Sequence, residues 1–316
     1  MSGVPAGALL AIGETMAMVA PVDGSPVVGA EAFLMDAGGA ESNVAAHAAA
    51  LGIPARWHSR LGEDALGRRV ARQLAARGID TSSVEFDPAR PTGLYVKDPG
   101  DGVLYYRRGS AASGLDETDA GAVPLAGVAV LHVSGVTAAI SDSARRFLMA
   151  IMRRARAAGI TVSFDVNHRA PLWPAAEAAP VLAGLAASAD IVFVGRDEAE
   201  TLWGTVTAQD VRHRLPDVPE LVVKDGAVGA TCFAGDEEWF EASQRVEVVD
   251  VVGAGDAFAG GYLAARLLGA DVPGRLRAGH ERAALTLRTL GDSLADGAHD
   301  LPDAAPAGSA SERTTP

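Results

Sequence analysis

The stretch Asp250-Val251-Val252-Gly253-Ala254-Gly255-Asp256, continued by Ala257-Phe258-Ala259-Gly260-Gly261-Tyr262-Leu263, decides how the rest of the chain is read. A β-like run, Arg245 to Val251, leads into a glycine-rich turn, and the turn opens into an apolar helix of small residues. Backbone N–H groups at a helix start lack intrahelical partners and lie at the positive end of the helix dipole. Gly253, Ala254 and Gly255 carry little or no side chain, which lets a phosphate approach those N–H groups closely. Asp256 is out of place in a simple anion site, because its carboxylate repels the anion. It fits if it takes a proton from an attacking hydroxyl, as phosphoryl transfer to an alcohol requires. The plainer alternative is a Gly-capped turn with an ordinary first-turn aspartate, and a short glycine motif does not by itself separate the two.

Working outward, the 316 residues suffice for one large or two modest domains with a well-buried core. The composition, 48% hydrophobic and 21% charged, is that of a globular protein. A net charge of −13 disfavours nucleic acid or an anionic membrane as main partner, although a local arginine cluster can still hold an anionic substrate. Cys232 is the single cysteine, which excludes an internal disulfide and a Cys-rich metal site. No signal peptide and no run of about 18 apolar residues is visible, so the expected location is the cytoplasm.

From the N-terminus, Ala8 to Ile12 reads as a buried strand ending at Gly13-Glu14, and Thr15 to Ala20 and Ala32 to Asp36 as short strands. Gly38-Gly39-Ala40-Glu41-Ser42-Asn43 is a second glycine turn, opening an Ala-rich helix that stops at Leu51-Gly52. Asn43 in its first turn is either a helix-start hydrogen-bonding residue or a ligand contact. Thr92 to Lys97 and Val103 to Arg108 form a hairpin, in which strand periodicity puts Tyr105 and Arg107 on one face and Tyr106 and Arg108 on the other. A tyrosine beside an arginine suits a hydroxylated anion, and equally an exposed cross-strand pair. From Val128 onward strands and helices alternate, which predicts an α/β fold with a mainly parallel sheet. Ligands of such sheets bind at the carboxyl ends of the strands. Asp165-Val166-Asn167-His168-Arg169, Glu198, Lys224-Asp225-Gly226 and Asp256 all fall there. A last helix is expected from Val272 to Leu290, then a disordered tail over 301–316. His47, His168 and His213 are too scattered to suggest a metal cluster.

These residues carry a family resemblance. Gly38 to Ala45 with Leu51-Gly52, and Asp250 to Asp256 with its helix, stand in this order about 210 residues apart, a strong joint signal. On them the chain resembles the ribokinase-like carbohydrate kinases from Leu9 to about Asp292. The resemblance implies a three-layer α/β/α domain, here 1–14, 38–90 and 110–300, and a small β lid from 15–37 and 91–109. It makes Asp256 the catalytic base and Gly253, Ala254 and Gly255, with Asp256, the anion hole. It makes Asp250 an acid supporting the loop and nearby cations, and Glu198 the acid that acts on Mg²⁺ through water. Gly195 replaces the asparagine that commonly precedes that acid. Lys224, Asp225, Gly226 and Gly229, with Asn167, fall where ATP is held, and His280 where an asparagine often lies beside the adenine. The cofactors implied are ATP and Mg²⁺, with room for a monovalent cation.

Within the family, Tyr105-Tyr106-Arg107 before Gly109-Ser110-Ala111, the Asp165 to Arg169 segment before Leu172-Trp173, and Gly291-Asp292 most resemble the 2-keto-3-deoxygluconate kinases. A sugar acid in an acidic protein needs fixed arginines, and Arg107 and Arg169 are the candidates. Tyr95 and Tyr105 are expected to reach the sugar from the lid, and Gly39, Asn43 and Asp292 to fix or admit its hydroxyls. The expected reaction is ATP-dependent phosphorylation of 2-keto-3-deoxygluconate to its 6-phosphate. The alternative is a kinase for fructose, ribose or a nucleoside. A non-catalytic sugar-binding protein on the same fold is disfavoured by the intact Asp256 and glycine loop. A dinucleotide-binding enzyme is disfavoured because no early G-x-G-x-x-G unit is present. Pairing of two copies through the lid sheet is the expected assembly.

Overall fold

The computed structural model describes residues 7–288, so Gly291, Asp292 and the 301–316 tail lie outside the described residues. In chain order the strands are β1 Ala8–Ile12, β2 Met16–Pro21, β3 Phe33–Gly38, β4 Ala55–His58, β5 Arg60–Gly62, β6 Ile79–Asp80, β7 Glu85–Asp87, β8 Leu94–Asp98 and β9 Gly102–Tyr106. They continue with β10 Val128–Ser134, β11 Thr161–Asp165, β12 Ile191–Gly195, β13 Glu220–Asp225, β14 Gly229–Ala234 and β15 Glu237–Ala242. The helices are α1 Ala40–Ala49, α2 Ala65–Ala76, α3 Asp119–Ala122, α4 Gly135–Ile140, α5 Asp142–Ala157, α6 Ala175–Ala186, α7 Arg196–Trp203, α8 Ala208–Arg214, α9 Ala254–Leu267 and α10 Val272–Thr286.

Nine strands form one sheet in the order β15-β14-β13-β12-β11-β10-β1-β4-β6. Every pair from β13 to β6 is parallel, and β14 and β15 add an antiparallel edge. The buried strands alternate between two cores, as a period of two requires. Leu10, Leu131, Val133, Val192, Val194, Leu221 and Val223 face the helices α5 to α8. Leu9, Val130, Ile191, Phe193 and Val222 face α1, α9 and α10. This is the expected three-layer α/β/α arrangement. Strand order reverses beside β1: β4 and β6 build one way and β10 to β13 the other. A crevice at the carboxyl ends follows from that reversal.

A separate sheet, β3-β2-β8-β9, stands over those carboxyl ends, and β5 pairs with β7 in a small third one. No helix among the described residues is long and apolar enough to cross a membrane.

The run Arg245 to Val251 is not a strand. Its valines 248, 249 and 251 are exposed. Its backbone instead docks on the end of α10, with the Val249 N–H donating to the Leu287 carbonyl at 2.7 Å. Propensity alone had suggested β, but a strand needs a partner. Helix α10 ends at Thr286 rather than Leu290. Strand β15 was invisible in the sequence because it is a mostly exposed, charged edge without an apolar run.

Candidate active site

Helix α9 lies against both α1 and α10, and two adjacent glycines allow it. A Cβ on Gly260 would stand 2.6 Å from the His47 Cβ and 2.9 Å from the Val44 carbonyl oxygen. A Cβ on Gly261 would stand 2.4 Å from the Ala278 carbonyl oxygen. One turn nearer the helix starts, this close approach sets Asn43 against Asp256, with Asn43 Nδ2 donating to Asp256 Oδ2 at 2.9 Å. The α9 start is shaped by Gly253, whose φ of 81° is left-handed and favours glycine.

Asp256 is buried, and burial pushes its carboxyl up to about 7. The Asn43 hydrogen bond and the charges of Arg169 and Lys224 work the other way, while Asp165 adds to the rise. An acid held near neutrality at a helix start has the proton affinity of a general base. Lys224 is a largely shielded cation facing it. Its Nζ donates to Asp165 Oδ2 at 2.8 Å and would stand 3.5 Å from a Cβ on Gly255. Asp165, Glu198 and Asp256 together hold that ammonium charged.

Glu198 is half-buried, and loss of solvent followed by the charge of Asp165 raises its carboxyl above the ordinary value. Its Oε2 accepts the Gly195 N–H at 2.9 Å, closing back on the start of α7, and its Oε1 accepts the His168 N–H. Gly195 is the register partner of Lys224 across β12 and β13. A Cβ there would meet an Asp197 carboxylate oxygen at 2.8 Å, so the asparagine of the family pattern would not fit without a shift. No group of three or more His, Cys, Asp or Glu able to hold a metal occurs among the described residues. The hard carboxylate oxygens of Asp165 and Glu198 would suit a Mg²⁺ met through water rather than ligated directly.

These groups line a cleft of about 690 Å³ between the large sheet and the four-stranded one. It gathers Gly39, Asn43, Tyr95, Tyr105, Arg107, Asn167, Arg169, Gly195, Glu198, Lys224, Gly253, Gly255 and Asp256. Asn167 is the non-glycine residue with positive φ, 39°, and its buried Oδ1 has no protein partner. Tyr95 and Tyr105 pack with ring centroids 6.0 Å apart, and the Arg107 guanidinium lies 5.9 Å from the Tyr105 ring. Tyr106 points away and is exposed, as the alternation predicts.

Other expected residues fall elsewhere. His280 is buried edge-on against Phe258, with Nε2 at 3.1 Å from the Glu241 carbonyl, and it does not reach the cleft to stack on a base. Asp225, Gly226 and Gly229 form the β13–β14 turn outside the lining, and Asp225 pairs with Arg196 at 2.9 Å. Ala254 is the first residue of α9 and is absent from the lining. Asp250 carries Lys97 rather than an open cation position, at 2.9 Å.

The two arginines differ. Arg107 is ion-paired with Glu14, a buried acid that also accepts the Ser110 hydroxyl. Arg169 is exposed in the cleft and has no ion-pair partner among the described residues. Glu14 is the site residue that motif reading missed. It directly follows Gly13 at the carboxyl end of β1, where the strand-end rule would have flagged it.

A parallel α/β sheet with a smaller sheet over its switch point, and a cleft offering paired acids, a shielded lysine and a helix start, is the build of a phosphotransferase acting on a small molecule. The chain belongs to the pfkB family of carbohydrate kinases, whose model matches residues 7–296. It is 32% identical to the 2-dehydro-3-deoxygluconokinase of Thermoproteus tenax, covering 91% of this chain and 90% of that protein. To the 2-dehydro-3-deoxygluconokinase of Bacillus subtilis (strain 168) it is 35% identical, over 89% of each. Fructokinase-1 of Oryza sativa subsp. japonica is 33% identical over 81% of each. The PfkB protein of Polaromonas sp. JS666 superposes with a TM-score of 0.82 at 35% identity, covering 90% of this chain and 97% of that one. The protein is an ATP-dependent sugar kinase.

Proposed function

We propose that the sugar is 2-keto-3-deoxygluconate and the product its 6-phosphate. Arg169 carries this reading: it is an exposed guanidinium lining the cleft, it forms no ion pair among the described residues, and its charge reaches Asp256 only at longer range. A carboxylate on the substrate supplies the missing charge, and a bidentate pair would fix the sugar's orientation. The 2-dehydro-3-deoxygluconokinase relatives support it. Asp256 accepts the proton of the primary hydroxyl as that oxygen attacks the γ-phosphorus, and Asn43 holds the carboxylate in place. The N–H groups of Gly253 to Asp256 and the Lys224 ammonium stabilise charge on the transferred group. Bound Mg²⁺ supplies neutralisation of the phosphate oxygens, and Glu198 would hold it through water. Residues 15–37 and 91–109 form the lid, which excludes water from the reacting atoms.

A neutral-sugar reading has its own support. Glu14 already neutralises Arg107, which leaves that end of the cleft suited to hydroxyls, and fructokinases are among the relatives. A coupled ADP-release assay with 2-keto-3-deoxygluconate, its galactonate epimer, fructose and ribose decides. Release with the acids supports the proposal, and release with fructose alone overturns it. Two copies pairing through the lid would cover Phe33, Leu34 and Leu104, which are exposed on it. An enzyme consuming ATP is proposed to work in the cytoplasm, where ATP is made.

A further inference from the structure

One carboxylate is shared between the four-stranded sheet and the turn before α9. Strand β8 turns Tyr95 and Lys97 to the same side, as alternate residues must. Tyr95 lines the cleft, and Lys97 reaches across to Asp250, Nζ to Oδ2 at 2.9 Å, over 153 positions of sequence. Both side chains are largely shielded, at 13% and 20% exposure. Such a pair is screened less than one at the open surface. The other oxygen of Asp250 accepts the Val252 N–H at 3.0 Å and closes the turn that leads into Gly253. Val251, Val252 and Gly253 themselves line the cleft. The rest of this connector, from Ser243 to Val248, has no regular secondary structure.

We propose that Lys97 is a positioning residue for phosphoryl transfer. Through Asp250 it ties the geometry of the Gly253–Asp256 turn to the position of the sheet that covers the sugar. Sugar held under Tyr95 then favours the turn that receives the phosphates, and nucleotide at the turn favours the covered sugar, by the reciprocity of linked binding. This rests on reading Gly253–Asp256 as the phosphoryl-binding turn, but not on which sugar is bound.

The test is titration calorimetry of the full chain with a non-hydrolysable ATP analogue, with and without the sugar that it phosphorylates. Wild type binds the analogue more tightly when sugar is present. Lys97→Met loses about fivefold or more of that enhancement, in the range of allosteric couplings, and Lys97→Arg restores most of it. Asp250→Asn keeps an oxygen for the Val252 N–H but loses the charge, so it matches Lys97→Met, and the double variant is no worse than either single one. A mere surface ion pair would leave the enhancement untouched. Enhancement in Lys97→Met equal to wild type, or losses that add in the double variant, overturns the proposal. Full turnover in Asp256→Asn would instead overturn the reading of the turn, whatever Lys97 does.

Discussion

Asn43 Nδ2 donates to Asp256 Oδ2 at 2.9 Å, joining the first turns of two helices that lie 213 positions apart in sequence. Asn43 is almost fully buried, and its Oδ1 has no protein partner. One amide therefore steadies the acid and keeps an acceptor oxygen with no partner among the described residues, which we propose takes a substrate hydroxyl. The hydrogen bond lowers the proton affinity that burial raises in Asp256. Asn43→Ala should move the acid limb of the kcat/KM pH profile upward and raise the KM for sugar. A profile unchanged in midpoint would show that the amide does not act on the carboxylate.

The pH profile of the parent enzyme follows from the same group. The Asp256 carboxyl rises from 3.8 to about 7 on folding. Its ionised form, the one able to take a proton, is lost as pH falls below about 7. The acid limb of kcat/KM should approach a tenfold loss per pH unit. Stability runs the opposite way, because folding favours the protonated carboxyl. The benefit of that preference is complete below pH 3.8 and is lost as pH rises through about 7. Asp256→Asn should therefore exceed wild type in unfolding temperature by clearly more at pH 8 than at pH 5, with the difference smallest below about pH 4. The gain is a few kcal/mol at most, since a tenfold change in proton affinity is worth about 1.4 kcal/mol. Turnover should fall by several orders of magnitude. Equal melting differences at both pH values would contradict the raised carboxyl.

Gly260 sets the helix spacing on which that contact depends. An added Cβ meets the Val44 carbonyl oxygen at 2.9 Å, and backbone cannot move aside cheaply. Gly260→Ala should cost about 1–3 kcal/mol as overpacking, and lower kcat by parting Asn43 from Asp256. Gly184 in α6 is the control, with nothing within 4 Å of its added Cβ. Gly184→Ala should stabilise by about 0.5–1 kcal/mol through helix propensity alone. Thermal unfolding with steady-state kinetics reads both, and equal behaviour of the two variants would refute the spacing argument.

The sequence exposed what is local or periodic. Apolar runs from Ala8 and Val128 onward marked the parallel strands, and the glycine turns marked the starts of α1 and α9. It did not expose what depends on partners. Arg245 to Val251 has strand composition, yet it pairs with no strand and its Val249 and Asp250 N–H groups go to the Leu287 carbonyl at the end of α10. His280 occupies a plausible sequence position, but Phe258 and the Glu241 carbonyl hold it inside. Glu14 and Lys97 carry no motif, and their roles come from Arg107 and Asp250, which reach them only through the tertiary fold. For the same reason the two arginines looked equivalent until their counter-charges were known.

That inequality predicts how each arginine responds to mutation. Arg169 forms no ion pair among the described residues, so if it holds the proposed sugar acid, Arg169→Ala should remove a charge-assisted contact worth about 1.5–3 kcal/mol. The KM for the sugar acid should rise about ten- to a hundredfold, with the KM for ATP and any fructose turnover little changed. Arg107→Ala does something else. It strands Glu14, 3% exposed, without its cation. Breaking a buried pair from one side costs about 3–5 kcal/mol, so the loss should appear first in thermal stability and then in turnover of every sugar. Adding Glu14→Gln to Arg107→Ala should recover much of that stability, because the uncompensated charge is gone. Steady-state kinetics on acid and neutral sugars, paired with melting curves of the four proteins, separate the two roles. Equal losses on acid and neutral sugars in Arg169→Ala would remove the case for a carboxylate at that end of the cleft.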